Sequence, residues 1–178
     1  MRLQFTNKYR LHRHKGAEII YQLMKYTIAV FWLSLVLSSC GNIDLFEKQD
    51  TIPRQEWYYN NVTEFKFNIR DTSSLYNIYV VVRHTDQYNY NNIWLQIGSK
   101  FPGDSMQYKK LNLKLGNDAS GWEGIGMDDI YEVRAIITPG PVAFRKSGDY
   151  VFSIGQIMRD NPLLHILNIG LRVEKVPR

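Results

Sequence analysis

The sequence has 178 residues, a length typical of one ordinary domain, and 44% of its residues are hydrophobic, as in a globular protein. Its net charge of +5 comes from the segment before Cys40, which holds six of the 22 lysines and arginines but one of the 17 acids. From Cys40 onward the charges balance. A surface that binds nucleic acid needs clustered positive charge, so we expect no nucleic-acid partner.

The segment before Cys40 has the pattern of a secretory signal. Lys25 precedes residues 26–37, an uncharged and mostly apolar run of 12 residues. That length suits the hydrophobic region of a signal peptide and is shorter than the roughly 18 apolar residues of a membrane-spanning helix. A buried core helix is the alternative interpretation, and the residues that follow argue against it.

Residues 37–41, with the sequence LSSCG, resemble the lipobox of bacterial lipoproteins, in which the cysteine is acylated and becomes the new N-terminus. Small residues before the cysteine let this segment enter a peptidase cleft in extended form. Cys40 is the only cysteine of the sequence, so it has no disulfide partner within the chain. We therefore predict a signal peptide over residues 1–39 and a membrane anchor formed by a lipid, such as palmitate, on Cys40.

The predicted signal is longer than usual, because 39 residues precede Cys40 whereas secretory signals run to about 15–30 residues. A start at Met24 would give a signal of 16 residues, with Lys25 as its basic region. A true long basic region is the alternative. After the anchor, residues 40–56 are mostly polar and contain Pro53, so we expect a tether that carries a domain of residues 57–178.

From residue 57 onward the sequence predicts β-structure. Seven segments alternate apolar and polar residues, or are apolar on both faces, as half-buried and central strands do. They are residues 65–69, 76–82, 93–97, 111–115, 131–137, 150–154 and 169–173. Turn-forming residues separate them, and a helical turn is plausible only at residues 156–164. Seven to eight strands without a repeated helix favour an antiparallel β-sandwich, with a partly closed barrel as the alternative.

The sequence offers little for catalysis or metal binding. After Cys40 it contains two histidines, His84 and His165, which we assign to packing or strand ends because a zinc site needs three or four clustered ligands. Asp128 and Asp129 lie near a turn and are expected to be solvated. No nucleophile or metalloprotease motif is present. We therefore expect no catalytic residue, no metal and no cofactor.

Aromatic residues are the remaining candidates for recognition. Tyr88 and Tyr90 lie in a polar loop, where packing explains an aromatic ring poorly. With Trp94 and Trp122 they would form a platform that stacks on sugar rings; the alternative is that these rings simply pack on the pleated sheets. Three glycines in residues 121–126 predict a turn with positive φ that folds Trp122 onto the sandwich.

Several segments resemble the GldH gliding-motility lipoproteins of the Bacteroidetes. They are YNIY at 76–79, YNYNNIWLQI at 88–97, GWEGIG at 121–126, GDY at 148–150, QIMR at 156–159, NPL at 161–163 and IGLRVE at 169–174. With the lipobox, the resemblance covers essentially the whole mature chain. It implies a non-enzymatic, lipid-anchored protein of the cell envelope, expected at the outer membrane, that serves gliding motility and the export of surface adhesins.

Two kinds of function remain open for the domain. The first is a structural component that docks other envelope or motility proteins. The alternative is a module that binds glycan or peptidoglycan through residues 88–94 and Trp122. An exposed aromatic row across a sheet face would favour glycan binding, whereas an apolar patch with a polar rim would favour protein docking.

Overall fold

The computed structural model describes residues 24–25 and 44–176. The chain divides into two units, residues 1–42 and 43–178; Met24 and Lys25 are helical residues of the first, and the second holds every strand described here. Apart from those two residues, the predicted signal peptide and Cys40 lie outside the described residues. In the described ranges, we find no helix with the length and apolar character needed to cross a membrane.

Residues 44–176 are almost entirely β-structure. In chain order the elements are β1 (Asp44–Thr51), a 3-10 turn (Pro53–Gln55), β2 (Glu56–Trp57), β3 (Thr63–Ile69), β4 (Leu75–Thr85), β5 (Asn92–Lys100), β6 (Gln107–Lys114), β7 (Gly116–Asn117), β8 (Gly121–Trp122), β9 (Ile125–Met127), β10 (Ile130–Ile136), β11 (Val142–Ala143), β12 (Gly148–Gln156), β13 (Leu163–Leu164) and β14 (Ile166–Lys175).

Two antiparallel sheets form the layers of a β-sandwich. The six-stranded sheet has the order β1-β14-β4-β10-β9, with β11 paired to the start of β4, and the four-stranded sheet has the order β3-β12-β5-β6. Two small ribbons pair β2 with β13 and β7 with β8. The seven predicted strands are present as β3, β4, β5, β6, β10, β12 and β14, so the predicted antiparallel β-sandwich is confirmed.

The apolar faces of the two sheets meet in one core. Strand β3 alternates strictly, with Phe65, Phe67 and Ile69 buried and the residues between them exposed. Strand β4 is buried on both faces, as its apolar sequence predicts: Val80 and Val82 belong to the core, and Val81 is buried on the outer face. Burial of such side chains is the main favourable contribution to the free energy of folding.

A network of ion pairs covers the outer face of the six-stranded sheet around Val81. Glu47 of β1 binds Arg172 of β14 at 2.7 Å and Arg134 of β10 at 3.3 Å. Arg134, the cross-strand partner of Val81, also binds Glu132 at 2.7 Å. This face of the sandwich is therefore charged around Val81.

The structure differs from the predicted tether over residues 44–56. Strand β1 pairs with β14 along its length, Phe46 packs on Phe67 with ring centroids 5.3 Å apart, and Ile52 is buried in the core. The polar residues of this segment favoured the prediction of a spacer. One of them, Glu47, instead binds two arginines in the ion-pair network. This part of the predicted tether belongs to the sandwich.

The predicted helical turn at residues 156–164 is also wrong. Gln156 ends β12, and the last two residues of the segment form β13. The buried Gln156 amide donates to the carbonyl oxygens of Trp57 and Asp160, both at 3.1 Å, and accepts a hydrogen bond from the Met158 N–H at 2.8 Å. Because this side chain satisfies backbone groups of the loop, the loop needs no helical hydrogen bonds.

The strand register defines two opposite ends of the sandwich. Asp44 pairs with Glu174, which pairs in turn with Asn77; β1 and β4 therefore begin at one end, which we call the entry end. Strand β4 finishes at Thr85, beside the turn that joins β9 to β10, at what we call the hairpin end.

Candidate functional site

An aromatic cluster of five residues occupies the hairpin end. The ring of His84 lies at its centre, with ring centroids 4.7 Å from Trp122, 5.6 Å from Tyr88 and 5.8 Å from Tyr131. Tyr90 joins through Tyr88 at 5.7 Å. Most of these pairs are tilted or edge-to-face, geometries that aromatic rings favour because of their quadrupoles. The rings therefore pack against one another and do not form a flat platform.

Tyr88 is not the exposed recognition residue that its polar loop predicts. Only 3% of the residue is exposed, and its hydroxyl donates a hydrogen bond to the carbonyl oxygen of Asn92 at 3.1 Å. Burial raises the pKa of the Tyr88 hydroxyl above its usual value. The loop runs over the surface, but this ring turns inward and completes the core at the hairpin end.

Tyr90 and Trp94 have different surroundings. Tyr90 is half-buried, and its hydroxyl donates to the Asp160 carboxylate at 2.6 Å, a hydrogen bond that raises the pKa of Tyr90. Trp94 is 41% exposed on the outer face of the four-stranded sheet, and in the described residues no ring pair joins it to the cluster. Tyr88, Tyr90, Trp94 and Trp122 therefore do not form the single platform that the sequence predicts for them.

The glycine-rich segment at residues 121–126 holds Trp122 against the cluster. The predicted positive φ is found at Gly121, with φ of +76°, and at Gly124, with φ of +90°. A Cβ atom at Gly124 would lie 2.1 Å from the carbonyl oxygen of Glu132, so the close approach of this segment to β10 requires glycine. Trp122 is half-buried, in keeping with its predicted place on the sandwich.

The cluster supports the short strand β9, which forms an edge of the six-stranded sheet. Gly126 lies against the ring of Tyr131, since a Cβ there would be 2.9 Å from a ring carbon. The residues on either side, Ile125 and Met127, are each 74% exposed. No described strand pairs with the outer side of β9. We call these three residues the β9 edge.

The β9 edge differs chemically from the sheet edges that β1, β3 and β6 form. Strands β1, β3 and β6 carry charged side chains, among them Lys48, Lys66 and Lys110, and charge on an edge strand discourages pairing with another chain. The β9 edge is uncharged and apolar. Its exposed backbone groups are suited to an added strand from a partner, the mode of recognition known as β-augmentation. Sequence reasoning missed this surface.

His84 is completely buried, and its environment fixes its protonation. Its Nδ1 lies 2.8 Å from the carbonyl oxygen of Thr85; since a carbonyl only accepts, Nδ1 carries the hydrogen. Nε2 is buried without a hydrogen-bond partner in the described part of the chain. Burial lowers the pKa of the imidazole, and the hydrogen bond to Thr85 opposes that shift. His84 is therefore a neutral packing residue, as its sequence context predicts.

The other residues considered for chemistry lie apart from one another. His165 is half-buried, with φ of +69°, between β13 and β14. Asp128, with φ of +55°, and Asp129 form the exposed turn between β9 and β10. Residues 24–25 and 44–176 contain no group of three or more side chains that would hold a metal ion.

The fold and the sequence before it define a β-sandwich lipoprotein. Residues 44–173 match the family model described as GldH lipoprotein, and the chain belongs to that family. It is 27% identical to a protein named gliding motility lipoprotein GldH homolog from Christiangramia forsetii, over 84% of this chain and 96% of the relative. It is 24% identical to the gliding motility lipoprotein GldH of Flavobacterium johnsoniae, over 80% of this chain and 91% of the relative.

The buried neutral His84 predicts a loss of stability in acid. Because its pKa is lower in the folded state than the unfolded value near about 6.5, the unfolded state binds a proton first as the pH falls. His84 therefore does not change the free energy of unfolding above about pH 6.5. Below that pH it lowers the free energy of unfolding, with a limiting slope of about 1.4 kcal/mol per pH unit for one proton. Urea unfolding at pH 7, 6 and 5 measures this slope.

Two asparagine variants distinguish the contribution of His84 to the acid slope from that of other residues. His84→Asn removes the titrating group and should lose most of the acid slope, whatever its stability at pH 7. His165→Asn is the matched control, since asparagine tolerates the positive φ at that position; it should keep the slope of the wild type. An unchanged slope in His84→Asn would contradict the assignment.

Proposed function

We propose that this protein is a non-catalytic component of the gliding-motility machinery and of the associated export of surface proteins. A lipid on Cys40 anchors it at the outer membrane, and its sandwich docks another envelope protein through the β9 edge. Membership of the GldH lipoprotein family supports the association with gliding motility and the lipid-anchored place in the cell envelope. The apolar, uncharged β9 edge is the observation that carries the docking role.

The chemistry around the β9 edge indicates the kind of segment that would bind there. Ile125 and Met127 offer two exposed apolar side chains beside unpaired strand backbone. Asp128 and Asp129 follow directly, and neither forms an ion pair within the described residues. We therefore expect an extended partner segment whose apolar side chains are followed by lysine or arginine, because opposite charges at the rim favour association.

The aromatic cluster supports a structural interpretation of this end. His84, the residue that would be expected to act as an acid or base, is enclosed by the rings of Trp122, Tyr88 and Tyr131 and has no access to a substrate. The cluster instead fixes the backbone of the β9 edge through Gly126 and Tyr131. A preorganised edge lowers the entropic cost of binding a partner strand.

The docking proposal predicts that charge on the β9 edge abolishes function without unfolding the protein. Both side chains of the double variant Ile125→Lys/Met127→Lys are mostly exposed, so its free energy of unfolding should stay within about 0.5 kcal/mol of wild type. Lysines on an edge strand oppose strand addition. We expect the variant to fail to complement a deletion strain in a gliding assay, and a photo-crosslinker at position 125 to capture one envelope protein.

The matched control places lysine on a different edge. Tyr108 of β6 is 60% exposed, so Tyr108→Lys makes the same kind of change on the four-stranded sheet and should complement fully. Full complementation by the Ile125→Lys/Met127→Lys variant, at wild-type protein levels, would sink the docking proposal.

The anchor is tested separately at Cys40. Cys40→Ala removes the thiol that would be acylated, so metabolic labelling with a fatty-acid analogue should give no labelled protein, and the chain should accumulate unprocessed or in the soluble fraction. The same substitution in a chain that begins at Met24 tests whether the result depends on where translation starts. Undiminished label in Cys40→Ala would overturn the anchor.

A further inference from the structure

The entry end of the sandwich contains a cavity of about 590 Å³, which no step of the docking proposal uses. It lies between the sheets, where the edge strand β6 faces β11 and the loop between β10 and β11. Apolar side chains dominate its wall, among them those of Ile78, Ile97, Leu111, Ile137, Phe144 and Phe152. The volume lies within the range of about 300–1,000 Å³ that is usual for small-molecule sites.

Positive charge surrounds this cavity. Lys109, Lys110, Arg145 and Lys146 are exposed residues of its lining. Asp104, the single carboxylate of the lining, binds Lys146 at 3.1 Å. In the described part of the chain, the other three basic side chains form no ion pair. An apolar interior with unneutralised cations around it is complementary to a ligand with an apolar body and a negative head.

The position of the cavity relative to the anchor points to the source of such a ligand. This step rests on the proposed lipid on Cys40. Asp44 begins β1 at the entry end, and Cys40 is four residues earlier in the sequence. Four residues of extended chain span at most about 14 Å, so the anchor would keep the entry end near the surface of the membrane, where acyl chains with anionic head groups are found.

We propose that this cavity binds one acyl chain that carries an anionic head group. The chain lies among Ile78, Ile97 and Leu111, and the head group contacts Lys109 and Arg145. Burial of the methylene groups supplies most of the affinity, while the cations select a negative over a neutral head. The β9 edge is at the opposite end of the sandwich, so this site and partner docking do not compete for the same surface.

The test uses palmitate as the probe and the mature chain without its lipid, residues 41–178, which holds every described strand and the whole core. Calorimetric titration should show saturable binding at one site. Methyl palmitate, which lacks the charge, should bind at least about tenfold more weakly. A diazirine analogue of palmitate should label peptides that line the cavity, and Val142→Trp, which fills the cavity, should abolish the labelling.

Charge variants test whether palmitate binding depends on the cations at the cavity or on positive charge anywhere on the domain. Lys109→Gln/Arg145→Gln should weaken palmitate binding at least about tenfold. Lys114→Gln, on the same strand as Lys109 but at the other end, should leave the affinity unchanged. A second arm offers vesicles of phosphatidylglycerol and phosphatidylcholine in place of palmitate. Vesicle binding that Val142→Trp abolishes would show that a membrane lipid supplies the chain, and palmitate binding alone would identify a free fatty acid.

Three results would overturn this proposal: no saturable binding in either arm, labelling outside the cavity, or equal affinity for palmitate and its methyl ester. Since the titration uses chain without its lipid, its outcome is independent of acylation at Cys40. Failure here would therefore leave the anchor and the β9 edge intact, and failure of the Cys40 experiment would remove only the membrane as the source of the ligand.

Discussion

The pairing of strand β4 with its two neighbours is the constraint on which the rest of the structure depends. Strand β4 binds β14 along one side and β10 along the other, with Val80 and Val82 in the core and Val81 beneath the ion-pair network. A register slip of one residue would exchange its two faces. It would remove Ile78 from the cavity wall and His84 from the aromatic cluster together, because one strand carries both.

This constraint separates two surfaces of different chemistry. Ile78 and His84 are six residues apart on β4, or about 20 Å at the rise of an extended strand. The entry end has an apolar cavity with cations around it, whereas the hairpin end has the β9 edge followed by Asp128 and Asp129. The proposals above assign an acyl chain to the entry end and a partner protein to the hairpin end.

The sequence predicted those features correctly that depend only on the residues of one segment. The seven strands follow from alternation, which each segment carries by itself, and the positive φ at Gly121 and Gly124 follows from the glycines around Trp122. The sequence did not predict strand β1, because the charge of its Glu47 is paired with Arg172, which is more than 120 residues away in the sequence. Tyr88 was wrongly predicted to be exposed, because the polar residues of a loop indicate that its backbone lies at the surface but not which way one ring points.

The two surfaces that carry the functional proposals could not be derived from the sequence, since each arises from distant segments brought together. The cavity combines β4, β5, β6 and β12 with the loop after β10. The β9 edge did leave a signal: Ile125 and Met127 are apolar residues beside glycine and a turn, with no core position for them to fill. Recognising it required the knowledge that β9 ends the sheet.

The central claim is that the entry end lies at the membrane and the hairpin end projects away from it. Ser105→Cys at the entry end and Asp129→Cys at the hairpin end place one fluorophore each in exposed turns of the lipidated protein, whose Cys40 thiol is blocked. In vesicles that contain a nitroxide-labelled lipid, the account predicts strong quenching at position 105 and weak quenching at position 129. Equal quenching at the two positions, or stronger quenching at position 129, would contradict it.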